Sequence, residues 1–411
     1  MTDHTEQAKR LLDAVSASGR DPQAVVDRLK ALKIETPSWG FGDTGTRFGK
    51  FHQPAAARTL EEKLQDAGQV HKLTGICPTV AVHVLWDFPD GFDQRVLDSA
   101  EKMGVKIGAI NPNVFQEQCY KYGSLCNEDA SVRQRALGHI LDCVELGKQA
   151  QSRYVSLWFG DGSNYPGQCD IVQRKRWMTE GLRATHEKMT DDQILLVEYK
   201  PFEPGFYHTD IADWGMAYIY AKGAGPRARV LVDTGHHYQA QNVEQIVAWL
   251  IDEEMLGGFH FNDRRYADDD LTFASIDPYQ SFRIFLEIAA AEHQRGRALD
   301  IAYMVDQSHN LKSKVEAMIQ TVSVAHELFA KALLVDFKAL AAARARQDVV
   351  GAEEIVRGAF FTDTRPLIGY VREQMGIEPD AIAAFRASGY EAQVGAEREA
   401  KHGAPADASY A

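Results

Sequence analysis

Residues 257–270 read GGFHFNDRRYADDD, an apolar run that ends in His260 and then carries four acidic residues, Asp263, Asp268, Asp269 and Asp270, within eight positions. Alone, that is the pattern of a solvated acidic loop. Other apolar runs of the chain end in the same kind of chemistry. Glu198 and Lys200 close ILLVEYKP, Asp233 and His236 close ARVLVDTGHH, and Asp306 closes IAYMVDQSHN. Further upstream, His83 and Trp86 follow one such run, and Trp158 and Asp161 follow another. If these ends converge, the carboxylates repel one another and at least one must stay protonated, unless a cation sits among them. Mixed carboxylate and imidazole ligation with carboxylates in the majority suits Mn2+ first, with Co2+, Mg2+ or Zn2+ as alternatives.

Glu198, Asp233, His260 and Asp306 form the first expected cation set, one residue from each of four successive runs. On an extended backbone Asp268 and Asp270 point to one side and Asp269 to the other, so Asp269 is expected in solvent. With His236, three residues after Asp233, they make a second expected set. Three protein ligands leave positions open for substrate, as a catalytic cation requires. His237 is expected to be structural or to support the ligands, and Asp263 to support them or to act as a cap. Lys200 shares the phase of Glu198, either as an ion-pair partner of the acids or as a group that polarises a substrate oxygen. Asp306 and Lys200 are the candidates for handling a proton.

Eight short runs rich in β-branched and aromatic residues supply these ends, at 35–42, 79–87, 105–113, 153–162, 194–201, 228–237, 256–263 and 301–310. Segments with apolar residues at helical spacing lie between them. Eight alternating units predict a (β/α)8 TIM barrel, whose strand ends meet at one face. A doubly wound sheet shares the alternation but does not gather the ends of nearly every strand. Residues 1–34 predict an N-terminal helix outside the barrel. Residues 315–346 and 351–375 predict long additional C-terminal helices, and 395–411, without apolar period, a frayed tail. The expected division is a catalytic barrel over 1–340 and a helical extension with its tail over 341–411.

The 411 residues are 45% hydrophobic and carry a formal net charge of -13, which argues against a nucleic-acid-binding surface. A barrel metallo-endonuclease, the rival class with similar ligands, would need a basic groove. A binding module on a dead barrel would lack ligands, and none is missing. Five cysteines without a CxxC pair fit reduced thiols. The start shows no signal sequence and no stretch is long and apolar enough to span a bilayer, so a cytoplasmic protein without membrane partners is expected. GFGDTG, residues 40–45, has the spacing of a dinucleotide loop, but no helix-like period follows until about Leu60. A glycine-rich lid with Arg47, Phe48 and Phe51 is the better reading.

VEYKPFEP resembles the E-x-K-P-x-E-P signature of xylose isomerases, and the D-x-x-H and D-x-D patterns of this chain are similar to their metal ligands. The identity of the ligands, Glu, Asp, His and Asp with His, Asp and Asp, is closer to L-rhamnose isomerases. The bacterial subtype with relaxed substrate specificity is resembled through PSWGFGDTGTRF, GDGSNYPGQ, GGFHFND, DDDL and DQSHN, across most of residues 20–395. The resemblance implies two divalent cations per subunit and interconversion of L-rhamnose and L-rhamnulose, with other aldoses such as D-allose, by hydride transfer between C1 and C2. It places His83 near the sugar ring oxygen and Trp39, Trp86, Phe115 and Trp158 on the pocket wall. It implies a homotetramer in which Phe48 reaches a neighbouring subunit's site. Tyr199 and Leu85 depart from the family pattern, at positions expected to touch the pocket wall.

Overall fold

A computed structural model describes residues 3–43, 51–202, 208–266 and 268–403. Eight parallel strands form the barrel: β1 (Thr36–Pro37), β2 (Thr79–His83), β3 (Lys106–Asn111), β4 (Tyr154–Leu157), β5 (Ile194–Glu198), β6 (Ala228–Asp233), β7 (Leu256–Phe261) and β8 (Ala302–Val305). They pair in chain order. Glu35 closes the ring, its N–H donating to Tyr303 O at 2.8 Å and its carbonyl accepting from Val305 N at 2.9 Å. The eight expected runs all become strands, each shorter at its carboxyl end because the chain there turns into the loops that carry polar groups.

Period-two alternation sorts the strand residues into two environments. Ala81, Ala109, Leu196, Leu231, Ala302 and Met304 face inward and pack as a small cluster under Trp39. Val80, Val82, Val155, Leu157, Val197, Val232, Phe259 and Phe261 face outward into the larger core shared with the helices. The next inward residue along β2, β3, β5, β6 and β7 is His83, Asn111, Glu198, Asp233 and His260. The polar layer therefore sits directly on top of the apolar plug.

One irregularity shapes this layer. Between β2 and β3 the register runs Val80 to Ile107 and then Val82 to Ile110, so β3 holds one residue more than its partner. The buried Glu35 side chain crosses the barrel interior to fill the bulge, accepting from Ala109 N at 2.9 Å. Gly108 makes room: a Cβ built there would lie 1.6 Å from Glu35 Oε2. Burial pushes the Glu35 carboxyl above its usual range, against the pull of its hydrogen bonds. Past the bulge, His83 and Asn111 are in register and face the mouth together.

The helical surroundings correct the sequence in four places. The expected N-terminal helix is two, Asp3–Ala17 and Pro22–Ala31, divided by Gly19 in the left-handed region and by the Asp21 cap. Residues 315–346 break at Val335, and Asp336 caps a new helix, Phe337–Ala345. Residues 351–375 break before Pro366, giving Val349–Phe361 and Arg365–Gln374. The tail is not frayed through 395–402. It forms the helix Tyr390–His402, whose buried Arg398 donates to Asp66 Oδ1 at 2.8 Å and Oδ2 at 2.9 Å, while Tyr390 Oη donates to Asp66 Oδ1 at 2.7 Å. A buried ion pair, not apolar periodicity, holds this helix.

All five cysteines are free thiols. Among the described residues no single helix is long and apolar enough to cross a membrane. Gly108→Ala should lower the unfolding free energy by about 1–3 kcal/mol, because the new methyl displaces a buried carboxylate from a packed interior. Urea denaturation measures it, and an unchanged midpoint would show that Glu35 can leave the bulge freely.

Candidate functional site

The mouth of the barrel holds a cavity of about 790 Å³ including its opening. Glu198, Lys200, His236, His260, Asp268, Asp270 and Asp306 line one part of it. Trp39, His83, Trp86, Phe115 and Trp158 line another. Asp233 lies behind the surface, fully buried. Phe48 and Arg47 lie outside the described residues, and Phe51 is exposed.

Glu198, Asp233, His260 and Asp306 each offer a ligand atom within 4.8 Å of the others. His260 Nδ1 is 3.2 Å from Glu198 Oε2, 3.7 Å from Asp306 Oδ2 and 3.9 Å from Asp233 Oδ2. Although buried, that nitrogen has no hydrogen bond of acceptable geometry. The nitrogen faces three carboxylates, the arrangement a cation would complete once His260 gives up a proton. Outer contacts fix the acids. Asp233 Oδ1 accepts from Gly235 N at 2.7 Å, and both its oxygens accept from Asn262 Nδ2 at 3.1 Å. Asp306 Oδ1 accepts from Trp39 Nε1 at 2.7 Å.

The second set gathers beside the first. His236 Nδ1 is 2.9 Å from Tyr199 O, an acceptor that fixes the proton there and leaves Nε2 as the ligating atom. Nε2 lies 3.0 Å from Asp268 Oδ1. Lys200 Nζ forms an ion pair with Asp268 Oδ2 and lies 5.1 Å from the centre of the Trp158 ring. The ion-pair reading of Lys200 therefore holds, and the same ammonium still lines the cavity. Asp268 and Asp270 do share the cavity, but not by strand alternation: both have left-handed backbone, φ 41° and 47°. Asp269 stays at the surface, partly exposed, and also has a structural role. Its carboxylate accepts from Arg265 N at 2.5 Å and Tyr266 N at 2.8 Å, holding the loop closed.

Counting protein groups alone, the charges are unresolved. Burial and its acidic neighbours push Asp233 up to about 7, raise Asp306 and drive Asp270 well above the carboxylate range. Burial also works against Glu198 and Asp268, yet nearby His260, His236 and Lys200 hold both below their usual range. His236 and His260 pay desolvation, but the surrounding acids lift them to about 10 and about 9. Protons on two imidazoles and on some of the acids balance the charge, and Glu198, Asp233, His260 and Asp306 fit a cation chemically.

The aromatic wall is built around His83, whose ring centre is 4.7 Å from Trp39, 4.2 Å from Trp86 and 5.8 Å from Phe115; Phe115 in turn lies 4.8 Å from Trp158. Burial, then the positive charges of His260 and Lys63, push His83 down to about 3, which makes it a neutral imidazole. Asp87, absent from the sequence reading, positions it: one oxygen accepts from His83 N at 2.8 Å and Ser38 Oγ at 2.6 Å, the other from Lys63 Nζ at 2.6 Å.

Several expectations are corrected. Asp161 does not join the cavity; it accepts from Ser124 N at 2.7 Å, Ser124 Oγ at 2.6 Å and Cys126 N at 2.9 Å. Cys126, Asp161 and Asp210 approach one another as metal ligands would, but Arg174 already answers Asp210 at 2.6 Å. Tyr199 and Leu85 are not wall residues. Tyr199 is buried with its hydroxyl 2.6 Å from His237 Nε2, and Leu85 is 44% exposed. Asp263, by contrast, takes the capping role that was one of its two expected roles, accepting from Ile276 N at 2.8 Å. Asn111 and Ser156 line the cavity without having been anticipated. Their inward phase, two residues from Ala109 and from Trp158, was the available signal.

A family model described as xylose isomerase-like TIM barrel matches residues 79–283. The chain is 39% identical over 404 residues to a "probable sugar isomerase" of Rhizobium meliloti, covering 97% of this chain and 94% of that protein. A "probable sugar isomerase" of Mesorhizobium japonicum is also 39% identical, over 92% of this chain and 89% of its own length. The solved structure of a 3-keto-D-glucoside 4-epimerase from E. coli aligns with a TM-score of 0.51 at 12% identity, covering 71% of this chain and 98% of that one, a likeness of fold.

Cation binding must displace the protons that stand in for it. Titrating Mn2+ into chelator-stripped protein at pH 7.5 should release protons, since the imidazoles otherwise hold theirs until about 9 and about 10. The affinity should fall about tenfold per pH unit of acidification for each proton displaced. Calorimetry in buffers of different ionisation enthalpy reads the number; heats that do not depend on buffer contradict the charge assignment.

Proposed function

Because this chain belongs to the xylose isomerase-like TIM barrel family, we propose that it is a divalent-cation-dependent aldose–ketose isomerase, with L-rhamnose to L-rhamnulose as its first reaction and other aldoses such as D-allose as further substrates. The observation that carries the reading is the group Glu198, Asp233, His260 and Asp306, with ligand atoms within 4.8 Å of one another, facing a cavity walled by tryptophans. The sugar-isomerase names of the 39% identical relatives support the reaction class. L-rhamnose rests on the motifs PSWGFGDTGTRF, GGFHFND and DQSHN. The same resemblance motivates a cytoplasmic homotetramer with Phe48 at a neighbour's site.

Glu198, Asp233, His260 and Asp306 would hold one divalent cation and His236, Asp268 and Asp270 the other, Mn2+ first. When bound, they supply Lewis-acid charge to sugar oxygens at C1 and C2. The rest is done by the chain. His83, neutral and clamped between Trp39 and Trp86, is suited to pass a proton at the ring oxygen as the sugar opens. Lys200, held by Asp268 and the Trp158 ring, presents an ammonium to a substrate oxygen. Trp39, Trp86, Phe115 and Trp158 cover the sugar's C–H faces and keep water from the reacting carbons. Transfer of hydrogen between C2 and C1 as hydride is the route that the resemblance to L-rhamnose isomerases supports, with an enediol route through a base near Asp306 or Lys200 as the alternative.

Treatment with EDTA should abolish ketose formation, and Mn2+ should restore it, with L-rhamnose leading a panel of aldohexoses and deoxyhexoses. No cation-restored turnover of any aldose sinks the proposal. Asp268→Asn should reduce kcat by about 100-fold or more with little change in thermal midpoint; retention of most activity removes the second cation set. In D2O the ketose should gain little deuterium at C1 under initial-rate conditions, and substantial incorporation would favour an enediol route.

A further inference from the structure

β4 carries no residue of either cation set, yet it contributes two side chains to the cavity, Ser156 and Trp158. They are two positions apart and share the inward face. Ser156 is 2% exposed, and its Oγ has no hydrogen-bond partner. Trp158 Nε1 is likewise buried without a partner. Around the ring, Ser156 stands level with Leu196, its register partner on β5, and Leu196 packs with Ala81, Ala109, Leu231 and Met304. Ser156 is thus a hydroxyl set into an otherwise apolar plug at the floor of the cavity.

A buried hydroxyl without a partner costs free energy that an alanine at the same place would avoid. Nothing in the surrounding backbone uses it: the serine accepts no cap and bridges no strands. The cavity that Ser156 lines is the one that holds the acids and the tryptophans. Next to it around the barrel, β5 brings Glu198 and Lys200, so a polyol whose first oxygens face the acids extends its later carbons over β4.

Resting on the isomerase reading above, we propose that Ser156 is a specificity-determining residue, hydrogen-bonding one chain hydroxyl of the aldose beyond the oxygens that face the cation ligands, with Trp158 Nε1 as its neighbouring donor. A site built to bond a hydroxyl discriminates against the analogue that lacks it, because its own polar atom is then left unpaired.

The test compares wild type and Ser156→Ala, both loaded with Mn2+, on the best aldose and on its mono-deoxy analogues at C3, C4 and C5. Wild type should lose roughly tenfold or more in kcat/KM on one analogue. Ser156→Ala should lose a similar factor on the parent sugar and show no further loss on that analogue, while its Mn2+ affinity stays at the wild-type value and its thermal midpoint is equal to or above that of wild type. Equal losses on every analogue in both proteins overturn the inference while leaving the isomerase reading intact. A fall in stability or Mn2+ affinity in Ser156→Ala also overturns it, by giving the hydroxyl a structural role. If wild type turns over no aldose, the isomerase reading fails and this inference falls with it.

Discussion

Repulsion among acids governs the top of this barrel. Glu198, Asp268, Asp270 and Asp306 line one cavity and Asp233 is buried behind it, with His236, His260 and Lys200 as the nearby bases. In water such charges would be screened; at low effective dielectric they are not. The protein can relieve them with protons or with cations, and the two compete for the same atoms. Much of the surrounding structure keeps the acids from relaxing apart. Asn262 and Gly235 hold Asp233, Trp39 holds Asp306, and the Tyr199 carbonyl fixes the His236 ring. A side chain free to swing away would lower the repulsion and lose the site.

The scaffold beneath answers a different demand. The apolar plug is made of small and medium residues, which lets the polar layer sit at the strand ends without a gap under it. Glu35 belongs to neither layer. Its backbone closes the seam of the barrel and its buried carboxyl fills the bulge that sets the phase of β3, so two distant features of the ring depend on one residue.

The alternation of eight apolar runs with helical segments, and the acids at their ends, made the barrel and most cavity residues legible in the sequence. These signals are local and periodic. What stayed hidden depends on tertiary partners. Asp161, like Asp233, stands at the end of an apolar run, yet Ser124 and Cys126 turn it away. Asp87 looks like any helix-end acid until Lys63 and Ser38 meet it. The C-terminal helix has little apolar period to announce it, because Arg398 and Asp66 hold it across 332 residues of sequence. The loop of Asp268 and Asp270 was placed correctly for a wrong reason, since positive φ carries no simple sequence period.

That positive φ restricts which residues can stand there. Side chains with a Cβ rarely adopt it, and among them Asp and Asn do so most readily, with Gly free to. At 268 and 270 the backbone thus admits Asp, Asn and Gly at little cost, while the proposed ligation of a cation would admit only Asp among the three. In any comparison of related chains, Asn or Gly at these two places would mark a barrel that kept the shape of this loop without the proposed second cation set. Alanine or a β-branched residue there would mark a loop that had been rebuilt. The two kinds of loss are distinguishable from sequence, which the bare presence or absence of a carboxylate could not achieve.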